Sequence, residues 1–270
     1  MVSQEQRRRQ LAREKFLRQQ QRRTDARRRS RTRNAVIASA LGVVLIGSLA
    51  LYTTGVLKDD GKTNAGAEVT ESASPSKAPD PCDKPAAGKA TTETWKKEPA
   101  MTIDKSADYT MSLATTCGDI DVALKASAAP HTVNSFNFLA GKGYFDHTKC
   151  HRLTTNGIYV LQCGDPTASG SGGPGYQFED ENLKDKSLKG NVYPAGTVAM
   201  ANSGPNTNGS QFFLVYQDSQ LPPSYTPFGT VSESGMAVLK KIADAGESTG
   251  AGDGAPNATV VVNKATVAKS

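Results

Sequence analysis

The chain has 270 residues, 37% of them hydrophobic and only 6% aromatic, with a formal net charge of +6. That is room for one sizeable domain with appendages, and too little apolar mass for the whole length to pack into a core. The charge is local. Residues 1–34 hold 12 Arg and 1 Lys against 3 acidic residues, a net of +10, which leaves the other 236 residues at −4. The basicity is therefore no sign that the main domain binds nucleic acid, and no nucleic-acid partner is expected.

Taken in chain order, the basic segment 1–34 precedes an uncharged apolar run at 35–57. Such a run has about the length needed to cross a hydrocarbon core of roughly 30 Å at 1.5 Å per residue. A signal anchor, a cleaved signal peptide and a buried core helix all compete as readings. The long stretch before the run favours the anchor, because it exceeds the n-region of a cleaved signal. The arginines then keep the N-terminus cytoplasmic and place the rest of the chain outside, which suits a single-pass protein of a plasma membrane. A further reading, less favoured than topology alone, gives the Arg-rich segment a contact with anionic lipid or RNA.

Residues 58–100 are rich in Lys, Ala, Thr, Ser and Pro and poor in large apolar side chains. Such a stretch cannot bury enough surface to offset its ordering entropy, so it is expected to be a flexible linker. Trp95, the single Trp, is expected to dock near its end.

A domain at 101–270 follows. Tyr109–Ala114 and Ile120–Leu124 alternate around a turn at Gly118, the pattern of a β-hairpin. Residues 129–140 place Val133, Phe136 and Leu139 at helical spacing, with Pro130 in the first turn. Lys149–Thr154 and Ile158–Gln162 read as a second hairpin, 164–175 as a glycine-rich loop, and 197–201, 211–216 and 228–231 as short strands. A second helix is expected at 233–245, with Met236, Leu239 and Ile242 inward, and a closing strand at 258–263. Many short strands and two helices indicate an all-β barrel with helical caps.

The chemistry-bearing residues exclude more than they suggest. His131, His147 and His151 have no partners at metal-ligand spacing, and none of the four cysteines forms a CxxC pair. There is no G-x-S-x-G, and Gly170–Gly175 lacks the Lys-Ser/Thr of a phosphate loop. What remains is Arg152, Gln162, Asn202, Gln211, Phe213 and Tyr225. Such a set is poor for proton transfer and well suited to gripping a peptide beside an apolar pocket.

Two longer segments are specific. Met200–Phe213 reads MANSGPNTNGSQFF, and His151-Arg152 is followed by QCGDPTASGSGGPGY and then by Phe178–Asn182. In order and spacing these resemble the signature segments of cyclophilins, the peptidyl-prolyl cis–trans isomerases. FGTV at Phe228–Val231 and the APHTVNSFNFLA segment also fit, and the resemblance covers about residues 105–263.

The resemblance implies a closed antiparallel eight-stranded barrel capped by two α-helices. It also implies rotation of X–Pro bonds in client peptides, with no cofactor and no metal. By position it makes Arg152, Gln162 and Asn202 the catalytic residues. Tyr159, Val160, Ala201, Gln211, Phe213, Leu221 and Tyr225 become substrate-binding. Two extra residues lie between Arg152 and Gln162, so Tyr159 and Val160 are assigned by counting back from Gln162. Gln220 stands where many eukaryotic members carry a Trp that contacts cyclosporin, and Tyr225 where many carry His, which implies weaker cyclosporin binding. A non-catalytic binder of proline peptides, acting as chaperone or scaffold, is the competing reading.

Cys82, Cys117, Cys150 and Cys163 allow three disulfide pairings, and spacing alone does not choose among them. With the domain outside the cytoplasm, bonds can persist. Cys150–Cys163 would brace the hairpin that carries Arg152 and Gln162, leaving Cys82–Cys117.

Overall fold

The structure is a computed structural model that describes residues 79–269. No helix among the described residues is long and apolar enough to cross a membrane. The basic segment 1–34, the run expected to span at 35–57 and the first part of the linker lie outside the described residues.

The fold starts with the expected hairpin, β1 (Tyr109–Thr115) and β2 (Gly118–Leu124), in register from Tyr109↔Leu124 to Thr115↔Gly118. Its alternation is plain in burial: Met111, Leu113, Ile120 and Val122 face the core and the residues between them do not. Helix α1 (Pro130–Gly141) follows, then β3 (Thr148–Lys149), β4 (Arg152–Thr154) and β5 (Val160–Cys163). Next come β6 (Val192–Tyr193), β7 (Thr197–Met200), β8 (Phe212–Val215), β9 (Ser219–Gln220) and β10 (Pro227–Val231). Helix α2 (Glu233–Asp244), β11 (Asp253–Gly254) and β12 (Val261–Lys269) complete the order.

The result is an all-β fold with two helices, as expected, but the strand count differs. Ten strands form one curled sheet in the order β11-β4-β5-β8-β7-β10-β2-β1-β12-β3, and β6 pairs with β9 in a separate ribbon. The difference from eight arises where the chain breaks into short pieces. β3 and β4 are consecutive in sequence, yet β3 pairs with β12 and β4 with β5. β12 is also longer than the expected 258–263, pairing with β1 out to Lys269↔Tyr109. Asn263 and Lys264 interrupt its apolar pattern, so the sequence conceals its length.

The helices cap the sheet: α1 buries the whole run Thr132–Phe136 with Leu139 and Ala140, and α2 buries one stripe. Phe136 of α1 inserts among Phe145, Phe212 and Phe228, at ring centroid distances of 5.2, 5.4 and 4.6 Å. Each such ring pair adds about 0.5–1.5 kcal/mol beyond its buried area. In α2, Ser232 caps the first turn by accepting from the Gly235 N–H at 3.1 Å, and Leu239 and Ile242 are buried. Met236, expected inward with them, is only partly buried against the core.

The described half of the linker differs from expectation. Residues 79–100 do not hang free but form a strap along the domain. Cys82 is bonded to Cys117, the Asp83 N–H donates to Thr116 O at 2.8 Å and the Ala86 N–H donates to Asn263 Oδ1 at 2.9 Å. Trp95 sets its ring on Phe138 (5.1 Å) and Tyr144 (5.8 Å), and its main-chain N–H donates to Pro174 O at 2.8 Å. A disulfide and main-chain bonds hold this segment, together with one aromatic anchor, so its polar composition was a poor guide. The second disulfide is Cys150–Cys163, the pairing that braces the β4–β5 hairpin.

Candidate active site

The site is a row of side chains laid across four strands. Register places Arg152 (β4) opposite Gln162 (β5), Gln162 opposite Phe213 (β8), and Phe213 opposite Ala199 (β7). Directly paired residues share a face, and strands lie about 4.8 Å apart, so Arg152 and Phe213 are held two strand spacings apart. Side chains two positions along, Val160 and Gln211, stand on the same face. Phe212 points the other way into the main core, while Phe213 joins a smaller apolar cluster with Val160, Tyr193, Ala199 and Val215.

Two adjoining cavities open on this face. The smaller, about 190 Å³, is lined by the polar Arg152 and Gln162 together with Phe213, Val160, Leu221 and Tyr225. The larger, about 570 Å³, runs beneath the glycine-rich segment Gly170–Gly175. Gln162, Ala201 and Asn202 line both. Together they make a groove with one apolar notch.

Polar contacts fix the row. Arg152 Nη1 donates to Gln162 Oε1 at 3.2 Å. Gln162 Nε2 donates to Gln211 Oε1 at 2.9 Å, and Gln211 Nε2 donates to Gly172 O at 2.9 Å. Asn202 Nδ2 donates to Ser224 O at 2.8 Å, tying the notch to the segment before Tyr225. Tyr225 meets the Phe213 ring edge-on at 5.5 Å.

The far wall is built on a buried carboxylate. Asp165 accepts from the N–H groups of Thr167, Ser169, Gly170 and Gly172, at 2.7, 3.1, 2.7 and 3.0 Å, and from the Thr167 and Ser169 hydroxyls. Burial pushes its pKa up, but these donors outweigh burial and hold it below the usual carboxylate range. His151, beside it, is held below its ordinary value, first by burial, and its imidazole is neutral at neutral pH.

The structure brings together Arg152, Gln162, Asn202, Val160, Ala201, Phe213, Leu221 and Tyr225 at the notch, with Gln211 in the adjoining groove. It does not bring Tyr159. That ring packs edge-on against Tyr216 at 5.9 Å, away from the notch, and Ile158 lines it instead. The reason is the period of two: Ile158 shares the face of Val160, and Tyr159 points to the opposite side. Counting back from Gln162 could not see this, because the extra residues form a loop around the Asn156↔Ile158 bridge.

A second residue went unseen. Asp253 grips Arg152 with both oxygens, Oδ1 accepting from Nε and Oδ2 from Nη2, each at 2.7 Å. That bond raises the Arg152 pKa and is the first cause of the lowered Asp253 value. The two lie 101 residues apart, and no motif links them.

A sequence model described as "Cyclophilin type peptidyl-prolyl cis-trans isomerase/CLD" matches residues 110–267. The chain belongs to the cyclophilin-type isomerase family. Among relatives, it is 49% identical over 208 residues to a "Probable peptidyl-prolyl cis-trans isomerase B" of Mycobacterium leprae, covering 74% of this chain and 66% of that protein. A protein of the same description from Mycobacterium tuberculosis is 45% identical over 207 residues, covering 74% and 63%. The chain thus spans about two thirds of the length of these relatives. A crystal structure of a Cryptosporidium parvum cyclophilin-type isomerase shares 27% identity over 60% of this chain and 99% of its own, with a TM-score of 0.49.

Proposed function

We propose that this cyclophilin is an active peptidyl-prolyl cis–trans isomerase. The observation that carries the reading is one notch lined both by a guanidinium, Arg152, and by an apolar set, Phe213, Val160 and Leu221. Rotation about a peptide bond faces a barrier of about 18–20 kcal/mol because amide resonance must be broken. An X–Pro bond interconverts unaided in tens to hundreds of seconds. No bond is made or cleaved, so the work is selective binding of the twisted amide over either planar form.

As the amide twists, its nitrogen regains a lone pair. A fixed guanidinium beside the proline ring can donate to that nitrogen, and its charge is permanent. Phe213 and its neighbours would hold the ring, while Gln162, Ala201 and Asn202 hold the residue before it. A rate gain of about 10⁵ needs roughly 7 kcal/mol of selective stabilisation. One preorganised charged donor supplies about half of that, and exclusion of water with positioning supplies the rest.

The test is a protease-coupled isomerisation assay on the full chain with a proline tetrapeptide, beside Arg152→Ala. Activity that falls at least about a hundredfold in the variant supports the assigned role. Equal rates would discard it. A second reading, a proline-peptide binder without catalysis, draws support from Asp253, which already occupies the Nε–Nη2 edge of the guanidinium. Peptide binding with no rate gain in the same assay would select it.

For the whole protein, we infer that exported or cell-envelope proteins are the clients. The apolar run 35–57 would anchor the chain in the plasma membrane behind the cytoplasmic segment 1–34. The two disulfides support an extracytoplasmic domain, since such bonds persist outside the reducing cytoplasm. The continuous run from β3 to β4, bonded to β12 on one side and β5 on the other, supports reading the curled sheet as a closed barrel of the eight-stranded type.

A further inference from the structure

We propose that Asp253 is a positioning residue for the isomerase reaction, holding the Arg152 guanidinium in the plane and direction the twisted amide requires. The proposal rests on the isomerase reading and adds a residue to it. Its geometric basis is the two-point grip already described, in which the carboxylate meets the Nε–Nη2 edge of the guanidinium. With Nη1 bonded to Gln162, three of the five Arg N–H groups are engaged and the other two remain to meet a peptide. A guanidinium gripped at one edge cannot swing about its last side-chain torsions, so those donors keep one direction.

The rest of the segment around Asp253 is built to hold it. β11 pairs with β4 so that Asp253 sits opposite Thr154 and Gly254 opposite Leu153, and the Thr155 N–H donates to Gly252 O at 2.9 Å. Gly252, at φ +92°, passes so close to Asn156 that an added Cβ would meet its Cβ at 2.5 Å. Behind it, the Glu247 carboxylate accepts from the N–H of Thr249 at 2.6 Å and of Gly252 at 2.8 Å, while Thr249 Oγ1 donates to Asp253 O at 3.3 Å. A carboxylate-centred turn thus presents Asp253 to one side of Arg152, as Gln162 and Gln211 support the other. The alternative is an ordinary surface ion pair. The side chains are 38% and 55% exposed, and pairs so exposed contribute little to stability. A role limited to stability therefore predicts almost no effect of removing Asp253, whereas a positioning role predicts a catalytic loss.

The experiment uses the oxidised full chain and the tetrapeptide assay, comparing wild type, Asp253→Asn, Asp253→Glu and Arg152→Ala, with the Arg152 Nε–H followed by ¹⁵N NMR. Asp253→Asn is expected to lower kcat about ten- to hundredfold, the range for small misplacements of a reacting group. KM should stay within about twofold, since the loss is confined to the transition state. The Arg152 Nε–H resonance, protected in wild type, should broaden. Asp253→Glu, which can still fork, should recover most of kcat. In the Arg152→Ala background, Asp253→Asn should change nothing further. An Asp253→Asn variant with wild-type or higher kcat, beside a crippled Arg152→Ala, overturns the positioning role and leaves the isomerase reading standing. An inactive wild-type chain overturns both.

Discussion

Replacing Asp165 by Asn tests how much the glycine-rich wall depends on one buried charge. Asp165 is fully buried, and both of its oxygens face only donors: the N–H and hydroxyl of Thr167 on Oδ1, and groups of Ser169, Gly170 and Gly172 on Oδ2. An Asn amide keeps the shape but must aim its own NH₂ at one of those sets. Whichever way it turns, at least two donors lose their acceptor. An orphaned buried donor costs about 1–3 kcal/mol, and the hydroxyls can turn toward each other to recover part, so the net cost is about 2–4 kcal/mol. In a domain of this size that lowers the melting temperature by roughly 5–15 °C. The assay is calorimetric melting of the oxidised full chain. Because the loop roofs the larger cavity, KM for a proline tetrapeptide should rise with the instability. A melting shift under about 2 °C would show that the wall is held by other contacts, and would refute this account of the loop.

Opening the Cys82–Cys117 bond with a double Ser substitution should cost about 4 kcal/mol by loop entropy, given its separation of 35 residues, against about 3 kcal/mol for Cys150–Cys163 with 13. Denaturant titration of the two double variants checks that order. Stability should also depend on pH in a defined direction. Burial holds His151 below its ordinary value, so the unfolded chain takes the proton first and stability declines as pH falls through about 6.5. Asp165 is depressed, so its contribution is present above the unfolded value of about 3.9 and is lost as pH falls through its lower folded value. Melting curves from pH 8 to 3 should show both declines, and His151→Gln should remove only the first. Cyclosporin should bind with a dissociation constant above about 100 nM by calorimetry, because Gln220 sits on β9 bonded to Gly190 O at 3.1 Å and does not line the notch.

How much of this was legible in the sequence follows from what kind of force holds each part. The β1–β2 hairpin and both helices are written in apolar periodicity, which burial enforces. The row Arg152, Gln162, Phe213 was legible because its residues lie in two signature segments, and strand register then sets them side by side. The strap at 79–100 was legible only at its two fixed points, Trp95 and the Cys82–Cys117 bond, because the main-chain bonds between them leave no hydrophobic pattern to read. Tyr159 was misplaced because a loop of unknown shape separates it from Arg152, and a shift of one residue exchanges the faces of a strand. Asp253 lay beyond any local signal, since only the fold brings β11 beside β4.

The central claim concerns the fork of Arg152 and the notch of Phe213, and it is tested most directly on a bound peptide. Exchange NMR of a proline tetrapeptide, with catalytic amounts of the full chain, reads cis–trans conversion without a coupling protease. Wild type should give exchange cross-peaks at mixing times far shorter than the unaided interconversion of tens to hundreds of seconds. Arg152→Lys, which keeps the charge and loses the fork, should still bind the peptide and lose those cross-peaks. Undiminished exchange in Arg152→Lys would contradict the account.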